Sequence, residues 1–416
     1  MRKAIVLTIL ISLLAIGNLF AGGGQEQMAG EDKPVTLVVS SRLYSPATEQ
    51  KFLYDEIFPE FEEENNVIVK FEILDDDALL KRAKLQSETG RVTSDVVIAH
   101  NGRMNEWING DYIEVLPVQE WPGRTFSAAF LDSITSGGKT YFAPVGGDVY
   151  LLLANQNAMK YLPSGADVQN ITWEQYIDWA VAVAEGEGEG KTAVTGVPMK
   201  SLIYMYGGMF LSYGGEFPVI NSEGAIKAWK LLTKMKNAYS PTVMTYDNVT
   251  APMKSGETWL TVAHMARVGE AYRANPANYV LAPAPKGPNG IGSIAGTSGF
   301  AVLKGAENSE MAMKFIEFMT RPEIAVKVAK GTGGFLPPID EAIAELGDTP
   351  TDEVIKKGVM VLQNGVVSGV PGGDYTSWGA VKQVYDDIFR EMIIGTGVYD
   401  QALIDDAQMK LEALKK

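Results

Sequence analysis

The sequence predicts an α/β protein built as two lobes, and three observations carry that prediction. Short apolar strands alternate with amphipathic helices from about residue 34 to 110. After residue 155 the pattern restarts as a more helical region. At 416 residues, the chain is too long for one small core and suits two domains.

The first half opens with the strand "PVTLVVSS", a polar turn "RLYSP" and an amphipathic helix carrying Phe52, Ile57 and Phe61. In "NVIVKFEIL", Val67, Val69, Phe71 and Ile73 alternate as a strand requires. The helix "ALLKRAKLQSET", the apolar strand "SDVVIAH" and a helix through "RMNEWING" follow. Such alternation implies a largely parallel sheet covered on both faces. Right-handed crossovers then set the strand C-terminal ends, and the loops after them, along one edge. In the second half, "ITWEQYIDWAVAVAEG" starts with Thr172 and Gln175 at capping-box spacing. "GAIKAWKLLTKM" and "GETWLTVAHMARVGEAYRA" are helical in pattern, and "SEMAMKFIEFMTRPEIAVKVAKG" is a helix pair broken at Pro322. "EGEGEG" is expected to be a solvated loop.

Composition excludes several functions. A formal charge of −15 with no Lys/Arg-rich run argues against nucleic-acid binding. There is no cysteine, hence no disulfide, thiolate nucleophile, thiolate zinc site or lipid-modified cysteine. Arg2 and Lys3 precede a short apolar run, then "GNLFAGGGQEQ", the parts of a secretory leader. Cleavage after Ala21 leaves a charge of about −17 and a flexible 22–32 stretch. The expected location is periplasmic without a lipid anchor.

"SGGKTYFAPVGGDVYLLLAN" invites a phosphate-loop reading, which needs Gly-x-x-x-x-Gly-Lys-[Ser/Thr]. Gly138-Lys139-Thr140 requires glycine at 133, where Ser133 stands; Gly190-Lys191-Thr192 requires one at 185, where Glu185 stands. Both candidates fail.

The order and spacing of "FPEFEEENNVIVKFE", "SDVVIAHNGRMNEWINGDYIEVLPV", "GGKTYFAPVGGDVYLLLANQNAM", "ITWEQY", "MKSGETWLTVAH", "GTSGFAVLKGAENSEMAMKFIEFM" and "MIIGTGVYDQALIDDAQMKLEAL" supply a further signal. Across nearly the whole mature chain this order resembles the extracellular solute-binding proteins of bacterial ABC importers, particularly the carbohydrate-binding, maltodextrin-binding-protein-like family. The resemblance implies a two-lobe periplasmic-binding-protein fold with an interlobe cleft and crossover hinge strands. The lobes expected are 33–147 with 304–336, and 148–303 with 337–416. The segment after "GKTYFAP" becomes the first crossover, with "GGD" permitting the bend; the return falls near "GTSGFAVL" and a third crossing near "GGFLPP". The implied function is to bind a mono- or oligosaccharide between the lobes and deliver it to ABC permease subunits in the membrane, as a monomer with no cofactor.

Sugars require flat apolar surface for their C–H faces and planar or charged groups for their hydroxyls. In the first lobe the loops after the strands present Ser41, Arg42 and Tyr44, then His100, Asn101 and Arg103. Asp148 at the crossover either accepts from a ligand hydroxyl or caps a turn. The second lobe offers Tyr204 and Tyr206, then His264 and Arg267 where relatives often carry a Gly/Pro-aromatic turn. That departure weakens a maltodextrin assignment and leaves an acidic sugar open. Thr297 sits at the return crossing, and Tyr375 and Trp378 stand where relatives often offer a stacking aromatic.

Two histidines and no cysteine give little material for a zinc hydrolase or a His-based triad, so no enzyme is expected. A secreted glycoside hydrolase needs only two carboxylates and stays open as an alternative. A polyamine- or iron-binding relative of the same fold is another, the iron site drawing on Tyr204, Tyr206 and His264. Asp75 to Asp77 lack the pattern of a calcium loop and are expected to cap the next helix.

Overall fold

The computed structural model describes residues 33–131, 134–194, 200–333, 335–371 and 374–416. The expected leader (1–21) and flexible stretch (22–32) lie outside the described residues, as do Gly334 of "GGFLPP" and the two glycines of "GGDYTSW".

Strand β1 (Val35–Ser41) buries Leu37 and Val39 and runs parallel to β2 (Val67–Ile73) and β3 (Val96–His100). Between β1 and β2 the helical stretch 47–65 carries a π-helical turn at Leu53–Ile57 and turns Leu53, Ile57, Phe58 and Phe61 into the first core. Asp75 caps the helix Asp76–Thr89, its carboxylate accepting from the Ala78 N–H at 2.7 Å, as the sequence led us to expect.

The glycines of the failed phosphate loop have a mechanical role. β4 (Thr135–Ser136) and β5 (Lys139–Thr140) form a hairpin around Gly137 and Gly138, at φ 57° and 74°. A two-residue turn with both central residues at positive φ matches the twist of the flanking strands, and glycine adopts it without strain. Next, β6 (Ala143–Asp148) ends at the cleft edge and the chain passes through Val149 into β7 (Tyr150–Asn155).

β7 pairs antiparallel with β9 (Leu260–His264) and β10 (Tyr279–Pro283), and β8 (Thr192–Ala193) pairs parallel with β9. β11 (Lys286–Gly287) and β12 (Gly290–Ile294) lead to the return strand β13 (Gly296–Val302), and β14 (Gly365–Ser368) pairs parallel with β12. Among the described residues the first sheet has the order β2-β1-β3-β13-β6 and the second β10-β7-β9-β8. The first sheet is parallel only across β2, β1 and β3, because β13 runs antiparallel to both β3 and β6. The reason is topological: β6 carries the chain out of the lobe and β13 brings it back, so adjacent exit and entry strands oppose each other.

These pairings move the expected lobe boundaries. Strand β13, expected with 148–303 in the second lobe, makes its backbone hydrogen bonds to β3 and β6 of the first. The third crossing also shifts. Leu336 does touch the hinge, exchanging backbone hydrogen bonds with Gly147. Ile339 and Ala342 nevertheless return to the first core, Leu346 packs against both cores, and helix Pro350–Asn364 enters the second. The capping box of Thr172 and Gln175 opens helix Trp173–Glu187, which runs through the first half of "EGEGEG" and ends at Gly188; that stretch is helix end before it is loop. The break at Pro322 separates helices Ser309–Met319 and Pro322–Thr332. Among the described residues, no helix is long and apolar enough to cross a membrane.

Candidate functional site

The C-terminal ends of β1, β3 and β6 open onto the same space as the end of β9 and helices Leu202–Ser212 and Trp378–Ile388 of the second lobe. A cavity of about 240 Å³ lies there, and Arg42, His100, Asp148, Tyr204, His264 and Thr297 all line it. Two further cavities continue it. One, of about 630 Å³, shares His100 and Val370 and is lined by Arg103, Tyr375 and Trp378. The other, of about 410 Å³, shares Arg42, Leu43 and Phe335 and reaches Tyr44 and Arg267.

Asp148 is held by His264. The imidazole Nδ1 lies 3.0 Å from one carboxylate oxygen, and the Met265 N–H donates to the other at 3.1 Å. A carboxylate only accepts, so Nδ1 carries the hydrogen and Nε2, 2.9 Å from the Tyr150 hydroxyl, accepts from it in the neutral ring. Since β6 ends at Asp148 and β7 begins at Tyr150, His264 pins both sides of the crossover. Thr297 adds a further tie by donating to the Gly146 carbonyl at 2.7 Å. Both are constraints on the hinge as well as walls of the cavity.

His100 is positioned by its own strand end. Its backbone N–H donates to Asp76 at 3.2 Å, and its Nδ1 accepts from the Gly102 N–H at 3.1 Å. Burial, together with the cations Arg42 and Lys382, pushes the imidazole pKa down to about 3. The ring is therefore neutral with its proton on Nε2. Arg42 directs its Nε at Asp76, 3.4 Å away.

Trp378 and Tyr204 form the aromatic wall. The indole N–H donates to the Tyr204 hydroxyl at 3.1 Å, and Phe217 meets the indole edge-on at 6.0 Å. Tyr375 stands 5.6 Å from the indole and is itself mostly buried. Lys382, one turn into the same helix as Trp378, holds its ammonium 5.9 Å from the Tyr204 ring centre.

Several expected residues are not in the lining of the central cavity. Ser41 is fully buried, and its hydroxyl donates to the Leu43 carbonyl at 3.1 Å, so it shapes the loop and faces no ligand. Tyr206 is also fully buried, between Trp229 and Phe389, because successive helix positions point to different sides and Tyr204 takes the cleft side. That separation also dissolves the Tyr204–Tyr206–His264 set considered for iron. Tyr44 packs edge-on to Phe335 and presents little surface. Arg267 is exposed and paired with Glu270 at 3.3 Å, away from the central cavity. Arg103 is tied to Asp77 and Glu106 in the larger flanking cavity. Asn101 opens the turn Asn101–Arg103 at the end of β3. The sequence reading missed Asp76 and Lys382. Asp76 follows the helix cap, where an acid is expected for the helix dipole alone, and Lys382 sits in an ordinary amphipathic helix. Among the described residues no group of three or more His, Asp or Glu could hold a metal ion.

A family model described as bacterial extracellular solute-binding protein matches residues 56–358. The chain belongs to that family. The fold agrees: the sugar-binding protein MalE of Xanthomonas citri superposes with a TM-score of 0.73 at 17% identity, over 91% of this chain and 97% of that one. The GacH receptor of Streptomyces glaucescens, solved unliganded and with acarbose, gives 0.70 at 16%, covering 92% and 98%. An ABC transporter solute-binding protein of Thermotoga lettingae bound with α-D-tagatose gives 0.69 at 17%, covering 92% and 99%. No protein of curated function matches the chain in sequence. Members of this family are binding proteins, and the two-lobe architecture of the chain is theirs.

Proposed function

We propose that the protein is the substrate-binding component of an ABC importer, taking a saccharide between its lobes and delivering it to permease subunits. The observation that carries this reading is the pairing of Trp378 and Tyr204 on one wall with Arg42 and His100 on the other. An aromatic face accepts the C–H side of a sugar ring, while planar donors across the cavity donate to its oxygens. A site assembled from both lobes is also one whose affinity depends on their closure. The structure neighbours solved with maltose, acarbose and tagatose support the same class of ligand.

Catalysis is not part of this reading. Both oxygens of Asp148 are held by hydrogen bonds, and Asp76 is engaged by Arg42 and the His100 N–H. A glycoside hydrolase needs one carboxyl poised as an acid and a second free as base or nucleophile. We place the protein in the periplasm as a monomer without a lipid anchor, consistent with the absence of cysteine and the N-terminal leader pattern.

Calorimetric titration against a panel of mono- and oligosaccharides tests the proposal. A binding sugar should lose roughly tenfold or more in affinity in Trp378→Ala, about 1.4 kcal/mol or above. Unchanged affinity in that variant would remove the stacking wall, and hydrolysis products in the titration cell would replace transport with catalysis.

A further inference from the structure

The polar groups around the central cavity are unevenly matched, and the imbalance narrows the ligand. We infer that the saccharide carries a carboxylate, as a hexuronate does, and that this group is seated among Arg42, His100 and Lys382. The inference rests on the saccharide reading above and deepens it.

Donors without acceptors line this cavity at Arg42 and His100, and Lys382 stands beside its Tyr204 wall, its charge acting on His100. Arg42 spends its Nε on Asp76, while its two Nη groups make no hydrogen bond among the described residues. His100 accepts through Nδ1, so its remaining N–H is at Nε2, which faces the Gly296 backbone and has no acceptor among the described residues. Lys382 is half-buried beside the Tyr204 ring and has no carboxylate within ion-pair distance among the described residues. Its burial holds the ammonium pKa below the usual lysine range.

The acids nearby do not cancel this excess. Asp76 is occupied by Arg42 and the His100 backbone, and Asp148 by His264 and Met265. Asp386 lies one turn beyond Lys382, almost wholly buried and without an ion pair to it, and Lys200 adds positive charge on the same side. A sugar hydroxyl offers a donor with every acceptor and would find few free acceptors here. A carboxylate only accepts, and its charge-assisted bonds to guanidinium and ammonium are about twice as strong as neutral ones. It would also remove the cost of a half-buried cation left without a counter-charge. Arg267 has no part in this, since it is exposed and paired with Glu270.

The test titrates the full-length mature chain with D-galacturonate, D-glucuronate, D-galactose, D-glucose and maltose, at low and high salt. A uronate should bind at least about tenfold more tightly than its neutral hexose, with an affinity that falls as salt rises. Lys382→Met should lower uronate affinity by about tenfold or more, a larger loss than for the neutral hexoses, and Lys382→Arg should restore it. Circular dichroism of both variants excludes misfolding. Neutral sugars binding as tightly as uronates, or uronate affinity indifferent to Lys382→Met, would overturn the inference and leave the saccharide reading standing. Failure of every sugar to bind would remove both.

Discussion

Asp386 poses an energetic problem at the scale of a single residue. It is 1% exposed, and one of its carboxylate oxygens has no hydrogen-bond partner. Burial pushes its pKa up to about 7, against the pull of Arg390, Lys200 and Lys382. The folded-state value lies above the unfolded one, so the stability that this group contributes is complete below about pH 4 and is lost as pH rises through 7. Asp386→Asn removes that loss. In urea denaturation the variant should gain on the parent protein between pH 4 and pH 8, by on the order of 4 kcal/mol. Parallel pH profiles for the two proteins would mean that the carboxyl is solvated. An acid in an otherwise amphipathic helix reads from sequence as a surface residue, so only the packing of helix Trp378–Ile388 against helix Leu202–Ser212 exposes its predicament.

At the scale of the element, the crossover β6–β7 depends on Gly146, which adopts φ 154°. A Cβ there would come within 2.7 Å of the Leu336 carbonyl oxygen and 3.1 Å of the Phe335 Cβ. Gly146→Ala therefore meets both backbone strain and a clash with the segment that bridges Gly147. It should cost about 1–3 kcal/mol of stability and weaken ligand binding, because the hinge must shift to relieve it. Denaturation and calorimetry on one preparation check both effects; an alanine variant with parental stability and affinity would show that this backbone is not constrained. Much of this element was legible beforehand. "APVGGDVYLLLAN" reads as a glycine-bent strand entering an apolar one, and the Thr172–Gln175 spacing and Pro322 placed a helix start and a helix break correctly. The return strand was less legible. "GTSGFAV" is apolar enough for either sheet, and its membership is decided by long-range hydrogen bonds to β3 and β6, which no local pattern records. The site follows the same rule. Residues at strand ends, such as Arg42 and His100, could be located because right-handed crossovers align those ends. Tyr204 and Tyr206 could not be told apart until the rotation of their helix was known, and Lys382 comes beside Tyr204 from sequence far removed from it.

At the scale of the whole molecule, the cavity walls are carried by cores that the backbone joins through few passages, with Phe130, Ala329 and Leu336 packing into the second core from first-lobe segments. Among the described residues these are the passages at Val149 and Ala295 and the stretch between Leu346 and helix Pro350–Asn364. Side chains within each core are close-packed, so relative motion concentrates in those passages and not in the lobes. His264 pins Asp148 and Tyr150 directly beside the first passage, while Tyr204 of the second lobe and Arg42 of the first line the same cavity. A ligand touching both sides gains its full contacts only when the lobes are brought together, so its differential affinity for the closed form moves the equilibrium. Small-angle scattering should therefore show the radius of gyration, roughly 21 Å for a compact chain of this length, fall by a few per cent when a saturating sugar is added. Thermal unfolding in the same solutions should shift upward by about 2.7 kcal/mol of added stability at a hundredfold excess over Kd. Trp378→Ala should reduce both effects together, since it weakens the contact that joins the lobes. A scattering profile unchanged by a ligand that calorimetry shows to be bound would mean that the lobes are already fixed at their final separation, and the passages would then be structural joints without a hinge function.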